Sequence, residues 1–198
     1  MATEPSFRLV AGLGNPGAEH ARTRHNAGFW LADALAREYG GTFRVESRFH
    51  GELAEITVAG QRLFLLKPST FMNRSGRALQ SLLAFHKLPA AQLLVMHDEL
   101  DLPAGTVRLK VAGGHGGHNG LRDVHATIGP EYRRLRIGIG HPGHKDQVLD
   151  YVLHKPSAAD EKLMRESIDA AVAALPLALE HWDKAVQQLH SREAENGN

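Results

Sequence analysis

The sequence predicts a single α/β domain built around a mixed β-sheet. Short apolar runs rich in β-forming residues alternate with segments whose apolar residues recur at helical spacing, and parallel strands need such helical crossovers. Two of the runs are neighbours separated by a glycine turn, which makes a hairpin and therefore a mixed sheet. The chain has 198 residues, 42% of them hydrophobic and none of them cysteine, enough for one core without covalent staples.

The elements follow in order. Phe7 to Leu13 (FRLVAGL) reads as a buried strand ended by glycine. After a Gly/Pro loop, Trp30, Leu31, Ala34 and Leu35 share one face of a helix that starts at Asn26, a candidate N-cap, and stops at Gly40-Gly41. TFRVES, ELAEITV and RLFLLK are three strands, the last two forming the hairpin. Leu79, Leu82, Leu83 and His86 mark a second helix over 75–87, and LLVMHD (93–98) is another buried strand. GTVRLKV and RLRIGIG are further strands, with a glycine loop and a short helix over 121–128 between them. Residues 158–190 are helical in pattern, and Pro176 is expected to kink or divide them because it has no amide proton for the helix. The SREAENGN tail, from about residue 191, is expected to be mobile.

Composition narrows the function. Without cysteine there are no disulfides, thiolate zinc sites or thiol nucleophiles. The start, MATEPSFRLV, has neither a basic n-region nor a long apolar h-region, and no stretch approaches the ~20 apolar residues of a membrane span, which predicts a cytoplasmic protein. Net charge is +1, but residues 1–155 hold 19 Lys+Arg against 14 Asp+Glu. Arg108, Lys110, Arg122, Arg133, Arg134 and Arg136 lie in one short segment offset only by Asp123 and Glu131, either a solvated face or a local anion-binding patch.

Gly12-Leu13-Gly14-Asn15-Pro16-Gly17 matches the dinucleotide fingerprint in letters only. That fingerprint needs a helix to begin inside the loop so that its amides meet a pyrophosphate, whereas Ala18 to His25 intervene and Pro16 removes an amide. No acidic residue closes the next strand, Glu46 lying inside it, so a tight glycine turn is the simpler reading. Among thirteen histidines, His115/His118 and His141/His144 are spaced like metal ligands, but both pairs lie in glycine-rich loops without a third ligand at zinc-site spacing.

A stronger pattern is polar residues placed just beyond strand ends, where α/β proteins keep ligand sites. Asn15, His25, Asn26 and Asn73 take such places, Asp98 closes a strand, and His118-Asn119 opens a helix. A histidine–carboxylate pair makes an imidazole a better base toward water, and asparagine amides stabilise an oxyanion and hold a peptide-like substrate. With no G-x-S-x-G elbow and no cysteine, direct attack by water is favoured over a covalent route.

Five segments in series, GLGNPGAEHARTRHNAGFWLAD, KPSTFMNRSG, HDELDLPAGTVRLK, GGHGGHNGLRD and RLRIGIGHPG, closely resemble the bacterial-type peptidyl-tRNA hydrolases over residues 7–154. The resemblance implies a twisted mixed sheet flanked by α-helices. It implies a cofactor-free, metal-free esterase, monomeric, acting on the acceptor stem and 3′ end of peptidyl-tRNA and on no membrane. In that family's pattern His25 is the general base and Asp98 the carboxylate that orients it. Asn15, Asn73 and Asn119 hold peptide and terminal nucleotide, Met72 and His118 line the same cleft, and Lys110 with Arg136 clamps the tRNA 5′-phosphate. The family usually has tyrosine where this chain has the shorter His20, so the phenolic substrate contact that the family pattern implies is replaced here by an imidazole. A tRNA-binding module without catalysis is the competing class.

Overall fold

The computed structural model describes residues 4–196. Seven strands form one sheet: β1 (Leu9–Gly12), β2 (Arg44–Glu46), β3 (Gly51–Val58), β4 (Gln61–Pro68), β5 (Leu93–Glu99), β6 (Val107–Val111) and β7 (Arg133–Gly138), in the order β2-β3-β4-β1-β5-β7-β6. β4, β1, β5 and β7 are mutually parallel; β3 pairs antiparallel with β4 and β2 antiparallel with β3 at one side, and β6 pairs antiparallel with β7 at the other. The sheet is mixed as expected, and β1 is its middle strand. From β1 the chain moves first to the β4 side and then to the β5 side, so the carboxyl ends of β1 and β5 flank a topological switch.

Alternation along each buried strand separates two apolar layers. Val10, Leu94 and Met96 face α1 (Ala27–Tyr39), α5 (Ala158–Glu180) and α6 (Trp182–Asn196). Leu9, Ala11, Leu93 and Val95 face α2 (Ser75–His86) and α3 (Asn119–Ile128). The short α4 (Val148–Val152) follows β7.

Two glycines, Gly12 at the end of β1 and Gly28 in the first turn of α1, bring α1 onto the sheet. A Cβ at Gly28 would lie 2.6 Å from the backbone N and O of Leu13 and 2.5 Å from the carbonyl oxygen of Met96. Only a residue without a side chain lets the first turn of α1 rest on the ends of β1 and β5. The 3-10 turn Arg24–Asn26 that precedes α1 is thereby held over β5.

Ser157 caps α5, its Oγ accepting from the Asp160 amide at 3.1 Å. The helix runs through Pro176 without dividing there; the break comes at His181, before α6. The carbonyl that Pro176 cannot bond, that of Val172, accepts the Tyr39 hydroxyl from α1 at 3.1 Å. The lost helix bond is thus replaced from a neighbouring element. The backbone of the tail forms the end of α6 as far as Asn196, and its last two residues lie outside the described ones. No described helix is long and apolar enough to cross a membrane.

Tyr39→Phe should cost about 1 kcal/mol of unfolding free energy, the usual net worth of one such bond, with an unchanged denaturant m-value. Equilibrium urea unfolding measures it.

Candidate active site

Three connections meet at the carboxyl ends of β1 and β5. The loop after β1 is tied to the turn before α1 by a reciprocal pair: the Asn15 amide donates to Asn26 Oδ1 at 2.8 Å, and Asn26 Nδ2 donates to the Asn15 carbonyl at 2.9 Å. Asn26 therefore does not cap α1, as its position before the helix suggested; its side chain is spent on the loop. Asn15 Oδ1 in turn accepts the Met72 amide at 2.7 Å, which fastens the turn before α2. No helix starts inside the glycine loop, only a 3-10 turn over Ala18–His20, so the dinucleotide reading has no structural basis.

Asp98, near the end of β5, is the hub. It is 3% exposed and receives His25 Nδ1 at 2.9 Å on Oδ2 and 3.1 Å on Oδ1, and His118 Nε2 at 2.8 Å on Oδ1. Burial disfavours its charge, but the charges and hydrogen bonds of the two imidazoles prevail and hold its pKa well below the usual carboxylate range. Burial likewise disfavours imidazolium at His25, 5% exposed, and the Asp98 charge and hydrogen bond overcome it, leaving the pKa raised.

Tautomers follow from the partners. An ionised carboxylate only accepts, so the Nδ1 of His25 carries the proton and its Nε2 keeps a lone pair. The Leu121 amide donates to His118 Nδ1 at 3.2 Å, so the proton of neutral His118 sits on Nε2, facing Asp98. Adjacent His97 places Nδ1 2.8 Å from the Asp98 carbonyl oxygen and leaves Nε2 buried without a partner among the described residues. Burial, then the nearby His118, pushes its pKa down to about 3, so it is neutral.

A cavity of about 250 Å³ opens onto this hub. His25, Asp98, His118 and Asn119 line one side, and Leu100, Val148, Leu149 and Val152 make an apolar wall beside Lys145. Arg24, next to His25, anchors that wall: its guanidinium stacks on Tyr151 at 3.8 Å and donates to the Tyr151 carbonyl at 2.9 Å, at the end of α4.

The other expected site residues are distributed around this cavity. Asn15 lines a neighbouring cavity with Lys67, Asp33 and Glu52. Met72 is buried in the layer under α2 and α3, and neither it nor exposed Asn73, next along the same turn, is on the cavity wall. His20 meets exposed Phe71 edge-on, ring centres 6.5 Å apart.

Lys110 and Arg136 line a third cavity with Arg108, Val186, Gln187 and His190, and Arg136 Nε donates to Glu99 Oε1 at 2.7 Å. The basic segment is only partly a surface patch. Arg134 is buried, holding the Gly113 and Gly114 carbonyls and His125, and Arg133 bonds the Ser6 carbonyl while stacking on Trp182.

The sequence-adjacent histidine pairs do not converge. His115, His141 and His144 each accept a nearby backbone amide at Nδ1, and His118 turns to Asp98. Among the described residues one group has the makings of a metal site, His25, Asp98 and His118, with ligand atoms within 4.8 Å. An ion there would have to displace both imidazole–carboxylate hydrogen bonds.

Residues 9–197 match the family described as peptidyl-tRNA hydrolase. The chain is 53% identical over 190 residues to the peptidyl-tRNA hydrolase of Halorhodospira halophila, covering 95% of this chain and 98% of that one. It is 55% identical over 185 residues to the enzyme of Acidithiobacillus ferrooxidans, covering 92% and 98%. The crystal structure of peptidyl-tRNA hydrolase from Acinetobacter baumannii superposes with a TM-score of 0.91 at 44% identity, covering 96% of this chain and 97% of that one. The chain belongs to the peptidyl-tRNA hydrolase family.

Within this peptidyl-tRNA hydrolase site, three contributions escape a reading of the sequence. Asn26 reads as a cap or as one of the polar residues beyond strand ends but not as the partner of Asn15, Arg24 is given no role, and Glu99 is one letter of HDELD, although Glu99 lines the His25 cavity and binds Arg136 of the next one. Each acts through a partner distant in the chain, and no local pattern reports such a partner.

The imidazole titrations are measurable by heteronuclear NMR. The His25 midpoint should lie above ~6.5, and Asp98→Asn should bring it below ~6.5, because burial then acts unopposed.

Proposed function

We propose that this member of the family hydrolyses the ester joining a peptide to the 3′ end of tRNA, with His25 activating water directly. The observation that carries the reading is the His25 ring. Its Nδ1 proton is committed to a buried carboxylate, and its Nε2 lone pair is the basic group of a cavity-lining imidazole. Water donates a hydrogen bond to Nε2, attacks the ester carbonyl and passes its proton to His25 as the tetrahedral oxyanion forms. The imidazolium so made is stabilised by Asp98, and the same proton is available to the departing ribose oxygen. Asn119 lines the cavity and is placed to donate to the oxyanion or the substrate backbone, and Asn15 lines the neighbouring cavity.

On this reading Lys110 and Arg136 meet the tRNA phosphate. Arg136 reaches that contact already oriented by Glu99, and Glu99 links the phosphate cavity to the catalytic one. On the same reading the protein acts as a monomer in the cytoplasm, where translation takes place.

His25→Ala should lower hydrolysis of N-acetyl-aminoacyl-tRNA by about 10²- to 10⁴-fold. Near-normal turnover by that variant would refute the base. Wild-type activity should persist in excess EDTA; loss that zinc restores would favour the His25, Asp98 and His118 metal group. Binding of tRNA without turnover would favour the non-catalytic module.

Protonation silences the base, so kcat/KM should fall on the acid side with a midpoint above ~6.5, as the raised His25 pKa requires. Lys110→Ala and Arg136→Ala should each weaken tRNA binding and flatten its log–log salt dependence by about one unit of slope. An unchanged slope in both would remove the clamp.

A further inference from the structure

The three cavities follow the strand order. One is built on β3, β4 and the loop after β1, the His25 cavity lies at the end of β5, and the third is on β7 and β6 with α6. Peptidyl-tRNA has the same order of parts: peptide, ester, nucleic acid.

We infer that the cavity of about 260 Å³ beside Asn15 receives the peptide residues upstream of the esterified one, and that it favours cationic side chains there. The inference rests on the ester-hydrolysis reading above, which sets the ester at His25 and the tRNA at Lys110 and Arg136.

Charge assigns the two outer cavities to different parts of the substrate. Around Asn15, Asp33 and Glu52 stand against Lys67 alone, and Glu19 adds a carboxylate at the rim, where a Cβ on Gly17 would lie 2.6 Å from its Oε2. A surplus of carboxylates repels phosphate and attracts ammonium or guanidinium.

The Lys67 ammonium is already engaged. It lies 2.7 Å from Asp33 Oδ1, 3.7 Å from Glu52 Oε2 and 4.2 Å from the centre of the Phe43 ring, with its side chain 14% exposed. Asp33 and Glu52 are 45% and 44% exposed, and the second oxygen of each has no partner among the described residues. The cross-strand register of Glu52 with Lys67 holds this arrangement on β3 and β4.

The cavity also offers a handle for backbone. Asn15 is 6% exposed and lines it; Oδ1 is used by Met72, and Nδ2 has no partner among the described residues. An amide donor beside carboxylates suits a peptide carbonyl followed by a basic side chain, whose aliphatic stem can lie against Phe29 and Trp30.

The test compares tRNA carrying N-acetyl-Lys-Lys-Phe with tRNA carrying N-acetyl-Glu-Glu-Phe, with N-acetyl-Phe-tRNA as the reference substrate. At low salt kcat/KM should favour the lysine peptide by about 3- to 10-fold, and the preference should shrink toward one as salt screens it. The double variant Asp33→Asn/Glu52→Gln should abolish the preference. A ratio of one or less in the wild type, with the reference still cleaved, would overturn the subsite alone. A preference that survives in the double variant would do the same, placing its origin elsewhere. Failure to cleave the reference would overturn the ester-hydrolysis reading and this inference with it.

Discussion

The site depends on a contact between backbones. Where α1 crosses the ends of β1 and β5, Gly12 and Gly28 leave no side chain between helix and sheet. That approach sets the height of the 3-10 turn carrying His25 above β5 and so brings the imidazole into hydrogen-bonding range of Asp98. A methyl group at Gly28 would push against main-chain atoms, which have no rotamer with which to yield. Fold and chemistry are therefore joined at a position that makes no chemical contribution of its own.

Asp98 converts this placement into reactivity. A carboxylate buried this deeply stays charged only if its surroundings replace water, and two imidazoles do so from different directions. His25 gains basicity from the arrangement, and His118, held in one tautomer by the Leu121 amide, acts as an orienting donor. The neutral His97 beneath them adds no competing charge. Three histidines within one small volume thus have three different protonation roles, set by what each faces.

The fold was legible in the sequence wherever burial imposes a period. β1, β5 and the β3–β4 hairpin show the alternation or continuous apolarity of half- or fully-buried strands, and α1 and α2 show their buried stripes. Pro176 does not divide its helix, one of the two effects its missing amide predicts, and the donor that serves the bereft carbonyl, Tyr39, is distant in the chain. The same limit applies to the site. Asn15, His25, Asp98, His118 and Asn119 could be picked out as polar residues beyond strand ends, but the pairing of Asn26 with Asn15 and of Glu99 with Arg136 is a product of the tertiary fold. Two of the six clustered basic residues proved to be structural for a similar reason: Arg133 and Arg134 find carbonyls and aromatic rings that composition cannot reveal.

The way Asp98 is approached has a consequence for how the gene can vary. Its two imidazole partners arrive on the β1–α1 connection and on the loop between β6 and α3, each stitched down at more than one point, by Asn15–Asn26 in the first and by Arg134 in the second. An inserted or deleted codon in either connection shifts a ring that must stay within hydrogen-bond range of one carboxylate. The tip of the β3–β4 hairpin at Ala59-Gly60 and the three-residue edge strand β2 carry no such obligation. Length differences among descendants of this sequence are therefore tolerated at that far edge of the sheet and purged beside β5.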